Sequence, residues 1–298
     1  MAKNNTPIRY DKLEINNVVI TEPEDNEMVK AQKLSYPRYK NETGLGQLII
    51  KTPMINIFSG GIPSLGEYFK DDKSRAKNFK VPFDEKNIEC KKFMDTINNL
   101  DKLMNTDKFR NDVMNGAKNL EYQPIIRIPL VDEDDDSKPV RPPCMKVYIS
   151  LDYNTDKVQT QLFIKNDKGQ RELTKVDTLD DLAKFVRYKS NVRMIIMANK
   201  FYVMKNPDPK TKKKSYGMTF KVMQIEVEAQ NNSAAGFDMT ADNFGSDDED
   251  NVNDDVDDYK HKKVMEEIKT IDLDEGVEDD DIPKPKTKSK KGKSAGTD

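Results

Sequence analysis

The chain has 298 residues, 35% of them charged, with a formal net charge of −3 and a mean hydropathy of −0.85. No apolar run reaches the roughly 18 residues of a membrane span, and the start "MAKNNTPIRYDK" has no signal-peptide core. One histidine and two cysteines leave little material for histidine catalysis, a zinc site or a disulfide framework. We therefore expect a non-membrane protein in a reducing, intracellular location, with no cofactor or metal.

The charges divide unevenly along the chain. Residues 1–228 carry 40 basic and 33 acidic side chains, whereas residues 229–298 carry 10 basic and 20 acidic ones. Within the second part, the segment 237–281 holds 19 acidic and 4 basic residues. This asymmetry favours a polyanion partner for the body, or a tail that screens it. We predict a disordered tail over 231–298, first acidic and then basic.

The first half of the chain predicts an arm, short strands and two helices. Residues 1–46 are mixed and polar, as expected of an N-terminal arm. "QLIIKTPMINIF" and "NFKVPF" then predict strands. Apolar residues after Asp84 recur every three or four positions, which predicts an amphipathic helix. A second helix begins at the cap Thr106 and ends at Gly116, so a helical insertion over 84–116 lies within a domain over 47–230.

The second half is rich in β patterns. In "MKVYISLD" and "VQTQLFIK", apolar residues alternate with an outer set that includes Lys146, Tyr148, Phe163 and Lys165. A short helix follows the cap Thr178. Two long strands, "VRMIIMANKFYVM" and "YGMTFKVMQIEVE", then flank a lysine-rich loop. This order predicts a mostly β (α+β) fold with an OB-like five-stranded Greek-key barrel.

Aromatic and basic residues interleave on these strands, as a binding surface for single-stranded nucleic acid requires. Rings stack on unpaired bases, and cations follow the backbone. The alternative is structural, because Tyr and Phe are ordinary strand formers, other segments can cover an outer face, and a lysine loop can be a solvated tip. The candidate contacts are Lys146, Tyr148, Phe163, Lys165, Arg193, Lys200, Tyr202, Lys205, Lys212, Lys213, Lys214 and Tyr216.

Catalytic signatures are missing from the sequence. It has neither a P-loop nor a GxGxxG phosphate cradle. The carboxylate runs at 132–136 and 247–258 lack the spacing of a calcium loop. We therefore expect a protein that is not an enzyme.

The strands "MKVYISLDY", "VQTQLFIKNDKGQ", "VRMIIMANKFYV" and "YGMTFKVMQIEVE", followed by an acidic tail, resemble a known family. The layout over residues 45–258 is similar to the replicative single-stranded-DNA-binding proteins of short-tailed phages and nucleocytoplasmic large DNA viruses. The resemblance implies an OB-fold that coats single strands without sequence preference. It also implies a tail that screens the groove and docks replication partners.

These expectations define a function and its partners: protection of single-stranded DNA in replication, recombination or repair. RNA as ligand and a homodimer stay open. The resemblance implies docking of a DNA polymerase or another replication protein, at the nucleus or a cytoplasmic viral replication site. The alternative is a scaffold or virion protein whose acidic tail binds basic partners. The tail residues assigned to docking are Phe244, Asp247, Asp248, Glu249, Asp250, Asp254 and Asp255.

Overall fold

The computed structural model describes residues 6–26, 29–129, 141–166 and 168–228. These residues form sixteen β-strands, four α-helices and two short 3-10 helices, so the predicted mostly β class with a few helices is confirmed. The acidic loop at 132–136 and the tail over 231–298, with all seven docking candidates, lie outside the described residues. Within the described ranges, no helix is long and apolar enough to cross a membrane.

The strands, in chain order, are β1 (Ile8–Arg9), β2 (Val18–Val19), β3 (Glu24–Asp25), β4 (Gln32–Ser35), β5 (Arg38–Asn41), β6 (Gly44–Gln47), β7 (Ile49–Lys51), β8 (Ile55–Asn56), β9 (Phe79–Pro82), β10 (Leu120–Gln123), β11 (Ile126–Arg127), β12 (Cys144–Ile149), β13 (Gln161–Lys165), β14 (Arg171–Thr174), β15 (Asn191–Met204) and β16 (Lys214–Glu228). The helices are α1 (Asp72–Ala76), α2 (Ile88–Met104), α3 (Asp107–Met114) and α4 (Leu179–Phe185), with 3-10 turns at Tyr10–Lys12 and Ile15–Asn17.

The hairpin of β15 and β16 is the centre of the larger sheet. Strand β16 pairs antiparallel with β15 and parallel with β10, β12 and β13. Strand β15 also pairs antiparallel with β4, β7 and β8. Among the described residues this sheet has 13 strands and is open, and β2, β5 and β6 form a separate three-stranded sheet.

Polar caps fix the ends of the helices. The Asn87 side chain accepts hydrogen bonds from the backbone N–H groups of Glu89 and Cys90, both at 3.0 Å, where α2 begins. Thr106 caps α3 as predicted, because its hydroxyl accepts from the Phe109 N–H at 3.1 Å. Thr178 does the same for α4. Such caps each stabilise a helix by about 1 kcal/mol.

One hydrophobic core joins the helices to the inner face of the sheet. Helix α2 buries the face that its periodicity predicts, including Phe93, Ile97 and Leu100. These side chains share a core with Val147 of β12 and Phe220 of β16, both fully buried. Burial of each such side chain contributes about 1.5–3 kcal/mol, so the inner face holds the sheet together.

The segment predicted as an N-terminal arm contributes strands to both sheets. Strand β1 pairs parallel with β7, and β4 pairs with β15. Tyr10 enters the core, with its ring centroid 5.8 Å from that of Phe93. Its hydroxyl donates a hydrogen bond to Glu89 of α2. Residues 6–26 and 29–46 are thus tied to the body by strand pairing and by a buried aromatic ring.

Tyr216 is a core residue, and its assignment as a base-stacking contact is wrong. Its side chain is 0% exposed. The hydroxyl donates to the Met104 carbonyl and accepts from Arg110, both at 3.2 Å. The centroid of its ring lies 5.2 Å from that of Tyr122 and 6.1 Å from that of Phe201. A ring enclosed in this way has no face left for a base.

The burial of Tyr216 predicts two different losses of stability. Tyr216→Phe keeps the ring and removes two hydrogen bonds, so we expect a loss of about 1 kcal/mol in the free energy of unfolding. Tyr216→Ala leaves a cavity and should cost about 3–5 kcal/mol. Urea unfolding of the full chain measures both values. A loss below about 1 kcal/mol for the alanine variant would contradict the core position.

Tyr10 predicts a loss of stability at alkaline pH. Burial, followed by its hydrogen bond to Glu89, raises the pKa of Tyr10 from 10.0 to about 12. The pKa of Tyr10 is higher in the folded than in the unfolded state. The stabilising contribution of Tyr10 to the free energy of unfolding is therefore complete below pH 10 and is lost as the pH rises towards 12. We expect the difference in unfolding free energy between wild type and Tyr10→Phe, measured from pH 10 to 12, to become smaller as the pH rises. Parallel pH profiles would count against the contact.

Candidate nucleic-acid interface

Side-chain alternation gives the sheet an apolar inner face and a polar outer face. On β12, Met145 and Val147 are buried, while Lys146 and Tyr148 point to the opposite side and are half-buried. On β16, Phe220 and Val222 are buried, and the intervening Lys221 is half-buried. The outer set predicted from the sequence therefore exists as a face of the folded sheet.

Strand register places the predicted contacts side by side. Tyr148 pairs with Lys221, and Phe163 and Arg193 flank Glu226 on its two neighbouring strands. Shifts of register after Ile195 and after Ala198 adjust β15 to β16. Apart from Tyr216 and Lys214, the contacts predicted on strands lie on this outer face, which we call the platform: Lys146, Tyr148, Phe163, Lys165, Arg193, Lys200 and Tyr202. Lys80, Lys221, Glu226 and Glu228 share this face by their registers.

One end of the platform, the lysine–tyrosine end, consists of Lys80, Lys146, Tyr148, Lys200, Tyr202 and Lys221. Lys80 of β9 is directly opposite Lys146 in the antiparallel register. Lys200 pairs with Thr219, and its Nζ lies 5.8 Å from the centroid of the Tyr202 ring while donating to Gln32 at 2.7 Å. Like charges on facing strand positions repel, so an anionic ligand would stabilise this end.

Two residues of β16 at this end, Thr219 and Gly217, have unusual surroundings. The Thr219 hydroxyl oxygen is buried without a hydrogen-bond partner among the described residues. Gly217 pairs with Tyr202, and a Cβ at this glycine would lie 2.8 Å from the Gln123 carbonyl and 3.4 Å from the Tyr202 hydroxyl. The missing side chain therefore lets Tyr202 and β10 approach β16 closely.

The other end, the ion-paired end, contains Phe163, Lys165, Arg193 and the two glutamates of β16. Glu226 accepts from Arg193 at 3.1 Å and also pairs with Arg171 of β14. Glu228 pairs with Lys165 at 3.2 Å. Glu226 is 10% exposed at its side chain, whereas Glu228 is 37% exposed. Two predicted phosphate contacts, Lys165 and Arg193, thus already have carboxylate partners.

The lysine-rich loop joins β15 to β16 and is shaped by Asp208, which accepts from the N–H groups of Lys210 and Thr211 at 2.7 and 2.8 Å.

The predicted contacts in and beside this loop have different surroundings. Lys205 pairs with Asp25 at 2.6 Å, and this hydrogen bond lowers the pKa of the Asp25 carboxyl. Lys213 lies 3.9 Å from Glu121, Lys214 is half-buried at the start of β16, and Lys212 is exposed.

Sequence reasoning missed Lys80 and Lys221. Both stand between apolar neighbours, in "NFKVPF" and "YGMTFKVMQ", so the alternation that identified Lys146 would have found them. The ion pairs of Glu226 and Glu228 have no comparable signal, because they depend on which strands become neighbours. The described residues contain no group of three or more metal-ligating side chains.

Comparison with known proteins adds one relative from a virus. No family model matches the chain. A protein of Acanthamoeba polyphaga mimivirus, described as uncharacterized, is 24% identical over 231 residues, which is 68% of this chain and 56% of the relative. The chain therefore spans little more than half of the length of that relative.

Proposed function

We propose that the chain binds single-stranded DNA without sequence preference, along the platform. The observation that carries the proposal is the convergence of seven separately predicted aromatic and basic residues on one face of the sheet. Lysines that face each other on neighbouring strands repel, and a bound anion would relieve this repulsion. The relative comes from a virus, and we extend the proposal to a role in replication, recombination or repair of DNA.

The lysine–tyrosine end suits an unpaired strand. Tyr148 and Tyr202 are half-buried, so each ring is held by neighbours and still presents surface. Their partners along β16, Lys221 and Gly217, are four residues apart, so the rings are offset by about 13 Å along the strand. Between them, Lys200 pairs with Thr219, and Lys146 directly precedes Val147, the partner of Phe220. Bases would stack on the two rings while the lysines contact phosphates, in the manner of other single-strand binders.

The proposal extends to the fold and the tail. Strands β12, β13 and β14, then α4 and the β15–β16 hairpin, follow the order expected of an OB-type barrel, which is a partly open structure in its known forms. The segment 237–281, with 19 acidic and 4 basic residues, would compete with DNA for the cations of the body. It would also dock replication proteins such as a DNA polymerase.

Anisotropy of a labelled oligo-dT across a salt series tests the proposal on the full chain. Tyr148→Ala and Tyr202→Ala should each weaken binding by about 1–3 kcal/mol, since each removes one stacking surface. Lys146→Gln should lower the slope of log affinity against log salt by about 0.7. Absence of binding by wild type would reject the proposal and favour the scaffold alternative.

A matched control is available on another surface. Tyr153 is 83% exposed and lies 5.9 Å from the Nζ of Lys73, much like the pair of Tyr202 and Lys200. It lies on the loop after β12, outside the rows of the platform. Tyr153→Ala should therefore leave oligo-dT affinity within about twofold of wild type. An equal loss for Tyr153→Ala and Tyr202→Ala would mean that any exposed tyrosine contributes and that the platform is not special.

The charge of the tail predicts a second effect. A chain ending at Gln230 lacks the acidic segment and should bind short oligo-dT more tightly than the full chain, most clearly at low salt, because screening by salt weakens the competition. The same anisotropy titrations measure this difference. Equal affinities at about 50 mM salt would show that the acidic segment does not compete for the platform.

A further inference from the structure

Carboxylates on the central strand distinguish the ion-paired end of the platform. Its cations Arg171, Arg193 and Lys165 face two carboxylates on the central strand, at Glu226 and Glu228. No glutamate or aspartate occurs on β16 before Glu226, so the charge of the strand changes sign along its length. This change falls within the face that the proposed function assigns to DNA.

We propose that Glu226 and Glu228 form a carboxylate boundary that ends the DNA path on the platform. The inference rests on the proposed function and states where bound DNA stops. A phosphate that reached Lys165 would have to displace Glu228 from it and then lie beside a free carboxylate. The same competition operates at Arg193, where Glu226 is held by two guanidinium groups. DNA therefore contacts the lysine–tyrosine end and is excluded from the ion-paired end.

Phe163 lies behind this boundary. Its register partners are Leu173 on one side and Glu226 on the other. A base stacked on Phe163 would bring its own phosphates next to the two glutamates, which repel them. The ring thus stays unused in the wild-type protein, although it has the chemistry of a stacking contact.

Glu228 is the residue at which the boundary can be opened without damage to the core. Its side chain is 37% exposed and its partners are Lys165 and, at 3.3 Å, the Asn191 amide. Glu226 is a poorer target, because its removal leaves two arginines without their shared, nearly buried partner. Glu228→Gln keeps the shape of the side chain and releases the Lys165 ammonium for a phosphate.

We expect Glu228→Gln to bind oligo-dT about threefold to tenfold more tightly than wild type at about 50 mM salt, with a salt slope steeper by about 0.7, the value for one added phosphate contact. Lys165→Gln should weaken binding more in the Glu228→Gln background than in the wild-type background, because Glu228 neutralises Lys165 in the wild type. In the double variant Glu228→Gln/Lys165→Gln, most of the gain should disappear. The interaction between the two substitutions then assigns the gain to the released lysine.

Glu172→Gln provides the control for net charge. Glu172 of β14 pairs with Ile164, so it lies on the opposite face from Lys165, and it is exposed. Both substitutions raise the net charge by one, but only Glu228→Gln should steepen the salt slope. Thermal unfolding of each variant confirms that the fold is kept.

The measurements distinguish failure of the carboxylate boundary from failure of the proposed DNA binding. If wild type binds oligo-dT but Glu228→Gln and Glu172→Gln have the same affinity and slope, the boundary is rejected and the function stands. A large loss of wild-type affinity in Lys165→Gln would likewise overturn it, since DNA would then already occupy that end. If wild type does not bind oligo-dT at all, the proposed function is rejected, and the proposed boundary is rejected with it.

Discussion

The alternation of side chains along β16 is the constraint on which the rest of the molecule depends. One set of its residues, including Phe220, Val222 and Ile225, is completely buried and forms part of the single core. The other set faces outward and is shared with β12, β13 and β15 through their registers. A slip of one residue in any of these pairings would exchange the two sets, placing lysines in the core and apolar chains in water. The core therefore fixes the composition of the platform as firmly as it fixes the fold.

This constraint explains which features the sequence could predict. Alternation is local, so the buried and outer residues of β12 and the helix faces of α2 follow from patterns a few residues long. The same pattern places Tyr216 in phase with Met218 and Phe220, so its buried position also follows from the alternation along β16.

What the sequence could not predict depends on contacts between distant segments. Strand β7 pairs with β15 across more than 140 positions, and Arg171 meets Glu226 across 55. No local pattern specifies such neighbours, since strand order in a sheet is decided by the packing of the whole core. For this reason the sequence indicates the basic residues individually, but it does not indicate the carboxylates that neutralise some of them. The division of the platform into two ends is a property of tertiary structure alone.

The two ends also impose opposite demands on stability. Lysines that face each other on adjacent strands, such as Lys80 and Lys146, repel each other at a cost of about tenths of a kcal/mol per pair. The ion pairs around Glu226 act in the other direction, because a nearly buried carboxylate between two arginines would be costly to leave unpaired. A sheet whose whole outer face repelled itself would be held only by its core. The ion pairs lie where β13 and β14 join the sheet, and the facing lysines lie where β9 and β12 meet, so their mutual repulsion is confined to one region of the outer face.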